Sequence, residues 1–220
     1  MAVIHRTTMS PTKLELLTSW LPTRPWYVPT GATPALDRAG GFRLDDPEGE
    51  VGIEFMVVTD ASGDRPVTYH VPLTYRAAPL EQPDAHGDEA LIGTSEHGVL
   101  GRRWIYDGAH DPVLHAQLLA LLAGKAEPQA QSESGTPDKT VTRHGADAPF
   151  PAPSGPGTAT DGAEGTDIVL PAGSGPLTLT VTRVLRPSAP APDRPCVTAA
   201  WRLPDGTEHR APFALLRTAP

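Results

Sequence analysis

The chain has 220 residues, a formal net charge of -8 at pH 7 and a pI near 5.4. Its acidic balance, without clustered Lys and Arg, excludes a general nucleic-acid binder, because phosphate backbones require dense positive charge. No apolar run approaches the roughly 20 residues of a membrane span, and the start lacks the basic and apolar segments of a secretory signal. We therefore expect a cytoplasmic protein without a membrane partner.

Two segments have the apolar spacing of a helix and a defined start. In "MSPTKLELLTSWLP", Ser10 is predicted as the N-cap and Pro11 as the first helical residue, with a leucine face that ends at Pro22. In "HDPVLHAQLLALLAGKAEP", Asp111 and Pro112 take the same two positions. The second segment is apolar nearly all round, so we expect that helix to be buried.

The region between the helices has the alternation of strands. "EVGIEFMVVTDASGDRPVTYHVPLTYR" predicts an antiparallel hairpin that turns at "DASGDRP", and Pro72 within its second strand indicates an edge strand or a bulge. "VLGRRWIYDG" predicts a further strand with Trp104 and Tyr106 on one face and Arg103 and Ile105 on the other.

The composition changes after about Glu127. Residues Gly145 to Thr166 are Gly, Pro, Ala, Ser or Thr at 18 of 22 positions, which leaves too little apolar surface to offset the entropy of ordering, so a disordered insertion is predicted. Strands resume with "DIVLPAG" and "PLTLTVTRVLRP", and a last hairpin is predicted to turn at Asp205 and Gly206. Pro212 in its second strand indicates an edge.

The fold class that follows is α+β, with an antiparallel sheet flanked by two main helices and a long disordered insertion before the C-terminal strands. The predicted regions are 1–126, an α+β unit; 127–166, a disordered linker; and 167–220, C-terminal strands. Two arrangements fit this pattern: two small domains, or one sheet that the C-terminal strands complete. The single sheet is favoured, because four strands without a helix form a marginal domain.

No catalytic motif is present in the sequence. It has no H-E-x-x-H, no G-x-S-x-G and no glycine-rich phosphate loop. His110, Asp111 and His115 could be read as metal ligands, but Asp111 is explained as an N-cap and His115 lies on the apolar helix face, so packing is favoured. The acidic stretch "RLDDPEGEVGIE" lacks the ligand order of a calcium loop and is interpreted as a solvated turn. No metal and no cofactor are expected.

The aromatic residues suggest a binding surface. Trp26 and Tyr27 are close in sequence, and Trp104 and Tyr106 add two more in a protein with only four each of Trp, Tyr and Phe. Exposed aromatic side chains beside polar groups suit sugar rings and partner surfaces, whereas an aromatic core is the alternative. The candidate binding residues are Trp26, Tyr27, Arg103, Trp104, Tyr106, Asp107, His110 and Asp111.

The order of four segments resembles the N-terminal cap domain of bacterial maltokinases and related aminoglycoside-phosphotransferase-like sugar kinases. These segments are "KLELLTSWLP", "FRLDDPEGEVGIEFMVVTD", "YHVPLTYR" and "IGTSEHGVLGRRWIYDGAHDPV", and the resemblance covers roughly residues 1–126. It implies a curved antiparallel sheet with helices. In such kinases the cap precedes an ATP-binding and a sugar-binding lobe and carries no catalytic group.

The sequence departs from these kinases where catalysis is concerned. A kinase of this type needs a catalytic aspartate in an H-G-[DN]-x-x-x-x-N context and a later metal-binding aspartate, and none of the three His-Gly pairs is followed by such a pattern. The resemblance therefore implies a non-catalytic accessory protein in maltose, trehalose or α-glucan (glycogen) metabolism. Its expected partners are a sugar kinase, another enzyme of these routes, or α-glucan. The alternatives are an α-glucan-acting enzyme that uses Asp107 and Asp111 as paired carboxylates, and a glucan-binding module.

Overall fold

The computed structural model describes residues 7–80, 89–145, 150–173, 175–189 and 194–218. Helix α1 spans Lys13–Trp20 and continues as a 3-10 turn over Leu21–Thr23; helix α2 spans Pro112–Leu122 and follows a 3-10 turn over Gly108–His110. Within these ranges, no helix is both long enough and apolar enough to cross a membrane.

The strands form a single antiparallel sheet. Their bounds are β1 Met9–Ser10, β2 Leu36–Leu44, β3 Gly52–Asp60, β4 Val67–Arg76, β5 Leu91–His97, β6 Gly101–Asp107, β7 Gln129–Ala130, β8 Thr142–His144, β9 Thr158–Asp161, β10 Gly165–Leu170, β11 Leu177–Thr182, β12 Val184–Leu185, β13 Cys196–Arg202 and β14 Glu208–Thr218. The main order is β1-β5-β6-β4-β3-β2-β13-β14-β11-β10-β9, with β7, β8 and β12 paired beside it. The predicted antiparallel sheet with two main helices is confirmed, and the sheet is not closed.

The C-terminal strands pair with the N-terminal ones at two places. β13 contacts β2 where Trp201 faces Gly40, and a Cβ at residue 40 would lie 3.3 Å from the Trp201 Cα, so glycine permits this close approach. β12 pairs with the first half of β4, which matches Val184 with Tyr69. Strands from both halves of the chain therefore share one sheet, while the predicted domain division at residues 126 and 166 stays a prediction.

The two helix starts differ from each other in how well the sequence predicts them. Asp111 is the N-cap of α2, since its carboxylate accepts from the Val113 amide at 2.9 Å, which confirms the prediction. For α1 the predicted cap is wrong: Thr12 is the N-cap, and its exchange of hydrogen bonds with Glu15 forms a capping box. Ser10 instead belongs to β1, which pairs with β5.

Alternation along β3 divides the apolar residues between two faces of the sheet. Phe55 and Val57 belong to a large cluster that also contains the leucines of α2 and residues of β10, β11, β13 and β14. Met56 and Val58 point the other way, into a smaller cluster with Leu17 of α1. Helix α2 is buried as predicted, with its core leucines at 6% exposure or less.

The prediction of a long disordered insertion is wrong. Within residues 127–145 and 150–166, β7 pairs with β2, β8 with β13, and β9 with β10. Gly157 is also packed, since a Cβ there would lie 2.8 Å from a side-chain carbon of Ile168. Low hydrophobicity did not prevent order here, because these short segments add to a sheet that is already formed and need little core of their own. Residues 146–149 of the predicted insertion lie outside the described residues.

Neither proline predicted at a sheet edge lies on one. β4 lies between β3 and β6, and Pro72 faces Phe55 of β3. The His70 amide donates to the Arg183 carbonyl on the side of β4 away from β3, and the Pro72 nitrogen, two residues later, points to the same side. There it lies in the gap between β12 and β6, where β4 has no strand partner. Pro212 of β14 faces Thr198 at a bulge and precedes the residues that pair with β11. Both prolines thus occupy interior strands at local gaps in pairing.

Candidate functional site

A groove of about 460 Å³ lies where β3 begins and β4 ends, beside the start of α1. Its volume is in the range of small-molecule sites. Residues of β1, α1, β2, β3, β4 and β6 contribute to its walls. We call this feature the Glu54 groove, after the carboxylate at its floor.

Glu54 is a buried carboxylate with several donors. Its Oε2 accepts from Lys13 Nζ at 2.6 Å and from the Tyr75 hydroxyl at 2.5 Å, and its Oε1 accepts from Gln131 Nε2 at 3.0 Å. The Glu54 side chain is 5% exposed and Arg38 approaches it at 3.9 Å. The charge is therefore paired and hydrogen-bonded, which a buried carboxylate requires.

The surroundings fix the protonation states of Glu54 and Tyr75. Burial alone would raise the pKa of Glu54, but the Lys13 ammonium and the hydrogen bonds from Lys13 and Tyr75 lower that pKa below its ordinary value. Burial, reinforced by the Glu54 charge, raises the pKa of Tyr75 well above its ordinary value. Near pH 7 Glu54 is therefore a carboxylate and Tyr75 a neutral phenol.

Two arginines line the same groove. Arg43 of β2 is paired in register with Glu54, and Arg103 of β6 lies two residues before Ile105, which faces Tyr75. Because side chains alternate along a strand and paired residues share a face, both arginines lie on the face that carries Glu54 and Tyr75. Within the described residues, neither guanidinium has a hydrogen-bond or ion-pair partner. Arg103 belongs to the predicted binding set; Arg43 and Glu54 do not.

The first predicted aromatic pair lies in the core. Trp26 is 1% exposed and Tyr27 is 9% exposed, so neither ring forms an open platform. The Arg183 guanidinium lies 4.9 Å from the Trp26 ring, and Tyr27 stacks on Tyr69 while its hydroxyl donates to Asp60. The aromatic-core alternative describes these two residues, because they cover the small cluster under α1.

The second aromatic pair is divided between core and surface. Tyr106 is 4% exposed and its hydroxyl accepts from the Leu80 amide at 3.0 Å, so it is a core residue. Trp104 and His110 are partly exposed, as is Arg103. Of the eight predicted binding residues, these three keep side-chain surface available for a ligand or partner.

The two predicted aspartates have structural partners. Asp107 caps the 3-10 turn through the Ala109 amide and forms a buried ion pair with Arg183, Oδ2 to Nη2 at 2.6 Å. Asp111 caps α2 and accepts two hydrogen bonds from Arg76, each 2.7 Å long. Both carboxylates are at most 1% exposed, so neither is open to a substrate.

The acidic stretch before β3 combines a turn with the floor of the groove. Asp46 accepts from the amides of Glu48, Glu50 and Val51, which confirms the predicted turn, although its side chain is buried rather than solvated. Glu54 lies at the end of the same stretch, inside a strand of apolar neighbours. A charged residue at a core position of a predicted strand is the signal that could have identified the groove. No group of three or more metal-ligating side chains occurs among the described residues.

Comparison with known families assigns the middle of the chain. Residues 20–111 match the family model of the maltokinase N-terminal cap domain, which confirms the resemblance over that segment. The segment runs from the end of α1 to the N-cap of α2, contains β2 to β6 and represents less than half of the chain. No curated protein matches the chain.

Proposed function

We propose that the protein is a cytoplasmic, non-catalytic accessory protein that binds a partner in maltose, trehalose or α-glucan metabolism, through a unit built like the cap of a maltokinase. The expected partner is a sugar kinase or another enzyme of these routes. The proposal rests on the cap match over residues 20–111 for its metabolic context.

The non-catalytic assignment rests on one observation, which is that Asp107 and Asp111 are already occupied by structural contacts. Glycoside chemistry needs two carboxylates facing a substrate across a cleft, one of them able to give up a proton. Here each buried aspartate accepts a hydrogen bond from an amide at a helix start and pairs with an arginine, either the buried Arg183 or Arg76, whose side chain is 20% exposed. Turning either carboxylate toward a substrate would leave its arginine without the counter-charge.

The contact surface that we propose is the exposed part of β6 and the turn that follows it. Trp104 pairs with Arg76 of β4 and Thr94 of β5, and His110 lies at the end of the 3-10 turn. A partly exposed Trp on a rigid strand loses little side-chain entropy on docking, which is why Trp is frequent among residues that dominate interface energies.

The first experiment compares catalysis with capture. Purified protein is expected to show no ATP hydrolysis, no maltose phosphorylation and no glucan transfer, and to capture an identifiable enzyme of the α-glucan route from its native cytosol. Metal-dependent phosphorylation of maltose by the pure protein would refute the proposal. Retardation of the protein by glycogen in an affinity gel, without capture of an enzyme, would instead identify a glucan-binding module.

A variant pair tests the surface. Trp104→Ala is expected to abolish capture, with a loss of about 2 kcal/mol or more of binding free energy, while the free protein still melts cooperatively. The control is Val169→Ala, since Val169 is 44% exposed on β10, away from β6 in the sheet order. Equal capture by both variants would show that the surface of β6 is not the contact.

A further inference from the structure

We propose that the Glu54 groove is a binding site for a sugar phosphate, with Arg43 and Arg103 holding the phosphate. This assignment goes beyond the proposed function, because it names a small-molecule ligand and requires no protein partner. The cap match assigns no ligand to these residues.

The first argument is the charge of the two arginines. Arg43 and Arg103 are both half-buried, and neither has an acidic partner within the described residues. A partly desolvated guanidinium without a counter-ion is unfavourable, so the groove provides two positive charges that a ligand can neutralise. A phosphate monoester carries about -1.5 to -2 charges near pH 7 and three acceptor oxygens, whereas a carboxylate carries a single charge. Guanidinium groups also match phosphate oxygens bidentately.

The second argument is the fixed floor. Lys13 forms an ion pair with Glu54, and Glu54 also accepts from Tyr75 and Gln131, so the charges of Lys13 and Glu54 neutralise each other and all four side chains are held in place. The Lys13 charge is therefore already paired, and Lys13 does not compete with the two arginines for a bound anion. A network whose members are already hydrogen-bonded is rigid, and a rigid site orders little when a ligand binds.

The third argument concerns the remainder of the ligand. Glu50 lies exposed at the groove and provides a carboxylate that can accept from hydroxyl groups, and the Lys13 ammonium has donors beyond its bond to Glu54. Met9 and Leu100 add apolar surface against which the C–H groups of a ring can pack. An acceptor, a donor and an apolar wall beside an anion site suit a polyhydroxylated ring that carries the phosphate.

Larger phosphate polymers fit these observations poorly. Glu50 and the buried Asp46 also line the groove and make it less positive than the two arginines alone would, and the whole chain has a net charge of -8. Such a balance repels a long polyanion but admits a single phosphate group at the arginines. We therefore assign a small phosphorylated sugar rather than a nucleic acid.

The test is calorimetric titration of the full chain with three probes: glucose 1-phosphate, inorganic phosphate and glucose. Glucose 1-phosphate is expected to bind most tightly, and its affinity is expected to fall as salt is added, because the contact is ionic. Arg43→Gln and Arg103→Gln are each expected to weaken binding about tenfold or more, which is the loss typical of one hydrogen-bonded charge contact.

The matched control is Arg102→Gln. Arg102 neighbours Arg103 on β6, points to the other face, and forms an exposed pair with Glu96. This variant removes the same charge from the chain and is expected to bind glucose 1-phosphate as the wild type does. If Arg43→Gln fails to fold, the Nε–H resonances of the wild-type arginines report the contact, and those of Arg43 and Arg103 are expected to shift on titration.

Four results would overturn the assignment. They are no binding of glucose 1-phosphate at millimolar concentration, equal binding of inorganic phosphate, equal binding of glucose, and equal losses in the Arg102→Gln and Arg103→Gln variants. The titration contains no partner protein, so its failure is distinguishable from a failure of the partner-capture experiment.

Discussion

Removing the Asp107 carboxylate is expected to come close to unfolding the protein. Its Oδ2 pairs with Arg183 Nη2 at 2.6 Å and its Oδ1 accepts from the Ala109 amide at 3.1 Å, and both charged side chains are at most 1% exposed. In Asp107→Ala the Arg183 charge stays buried and keeps the hydrogen bond from its Nε to Thr166 and the contact with the Trp26 ring, but loses its carboxylate partner. Breaking a buried pair in this way costs about 3–5 kcal/mol, and the lost cap adds about 1 kcal/mol. A protein of this size has roughly 5–15 kcal/mol to lose.

Urea unfolding followed by tryptophan fluorescence and circular dichroism measures this loss. Asp107→Asn keeps an acceptor for the Ala109 amide but not the charge, and should lie between the wild type and Asp107→Ala. The double variant Asp107→Ala with Arg183→Met should recover part of the loss, because no buried charge then remains without a partner.

The exposed pair of Asp167 and Arg217 provides the control. Each of these side chains is 45% exposed, and Asp167→Ala should cost less than about 1 kcal/mol because the solvent screens the pair. If Asp107→Ala also cost less than about 1 kcal/mol, the argument that a buried charge is left unpaired would be refuted. The sequence alone predicts that small cost, because Asp107 follows a strand and its partner is 76 residues away.

Three further predictions follow from the fold. The free energy of unfolding should fall with pH below about 4.5, because Glu54 has a lowered pKa in the folded state and its stabilising contribution is lost as the pH falls through that pKa. Glu54→Gln should be less stable than the wild type at pH 7 but should lose less stability in urea titrations at acid pH. The fragment 1–126 should bind a hydrophobic dye and melt without cooperativity, because β2 and β4 lose partners, and a sharp calorimetric transition would contradict this. Replacing residues 145–166 by a short Gly-Ser loop should lower the melting temperature by about 10 °C, because β9, the packing of Gly157 and the hydrogen bond from Arg183 to Thr166 are lost, and a shift of a few degrees would show that these contacts contribute little.

Features set by neighbouring residues could be predicted from the sequence. Asp111 followed by Pro112 determines the start of α2 because both act within one helical turn, and Asp205 with Gly206 determines the last hairpin because Gly206 adopts a φ of +84°. The hairpin of β3 and β4 follows from alternation in the same way.

Features set by distant partners could not be predicted. From the sequence alone, Pro72 is incompatible with an interior strand, because the gap between β6 and β12 that accommodates it is formed by distant residues. The residues of β9 are predicted to be disordered, because the sequence does not show that β10 pairs with them. The partners of Glu54 in the groove cannot be predicted for the same reason, since Lys13, Glu54 and Gln131 come from three separate regions of the chain. An exposed aromatic surface was expected near Trp26 because composition does not show that Arg183 covers that ring.

The pairing of β12 with β4 has a consequence for synthesis on the ribosome. The His70 ring hydrogen-bonds the Thr182 carbonyl across 112 residues, so the first half of β4 has no neighbour on that side until residues 182–185 have been made. At 5–20 residues per second, translation of this interval takes about 6–20 s. During that time the unpaired edge of "VTYH" is open to pairing with other chains.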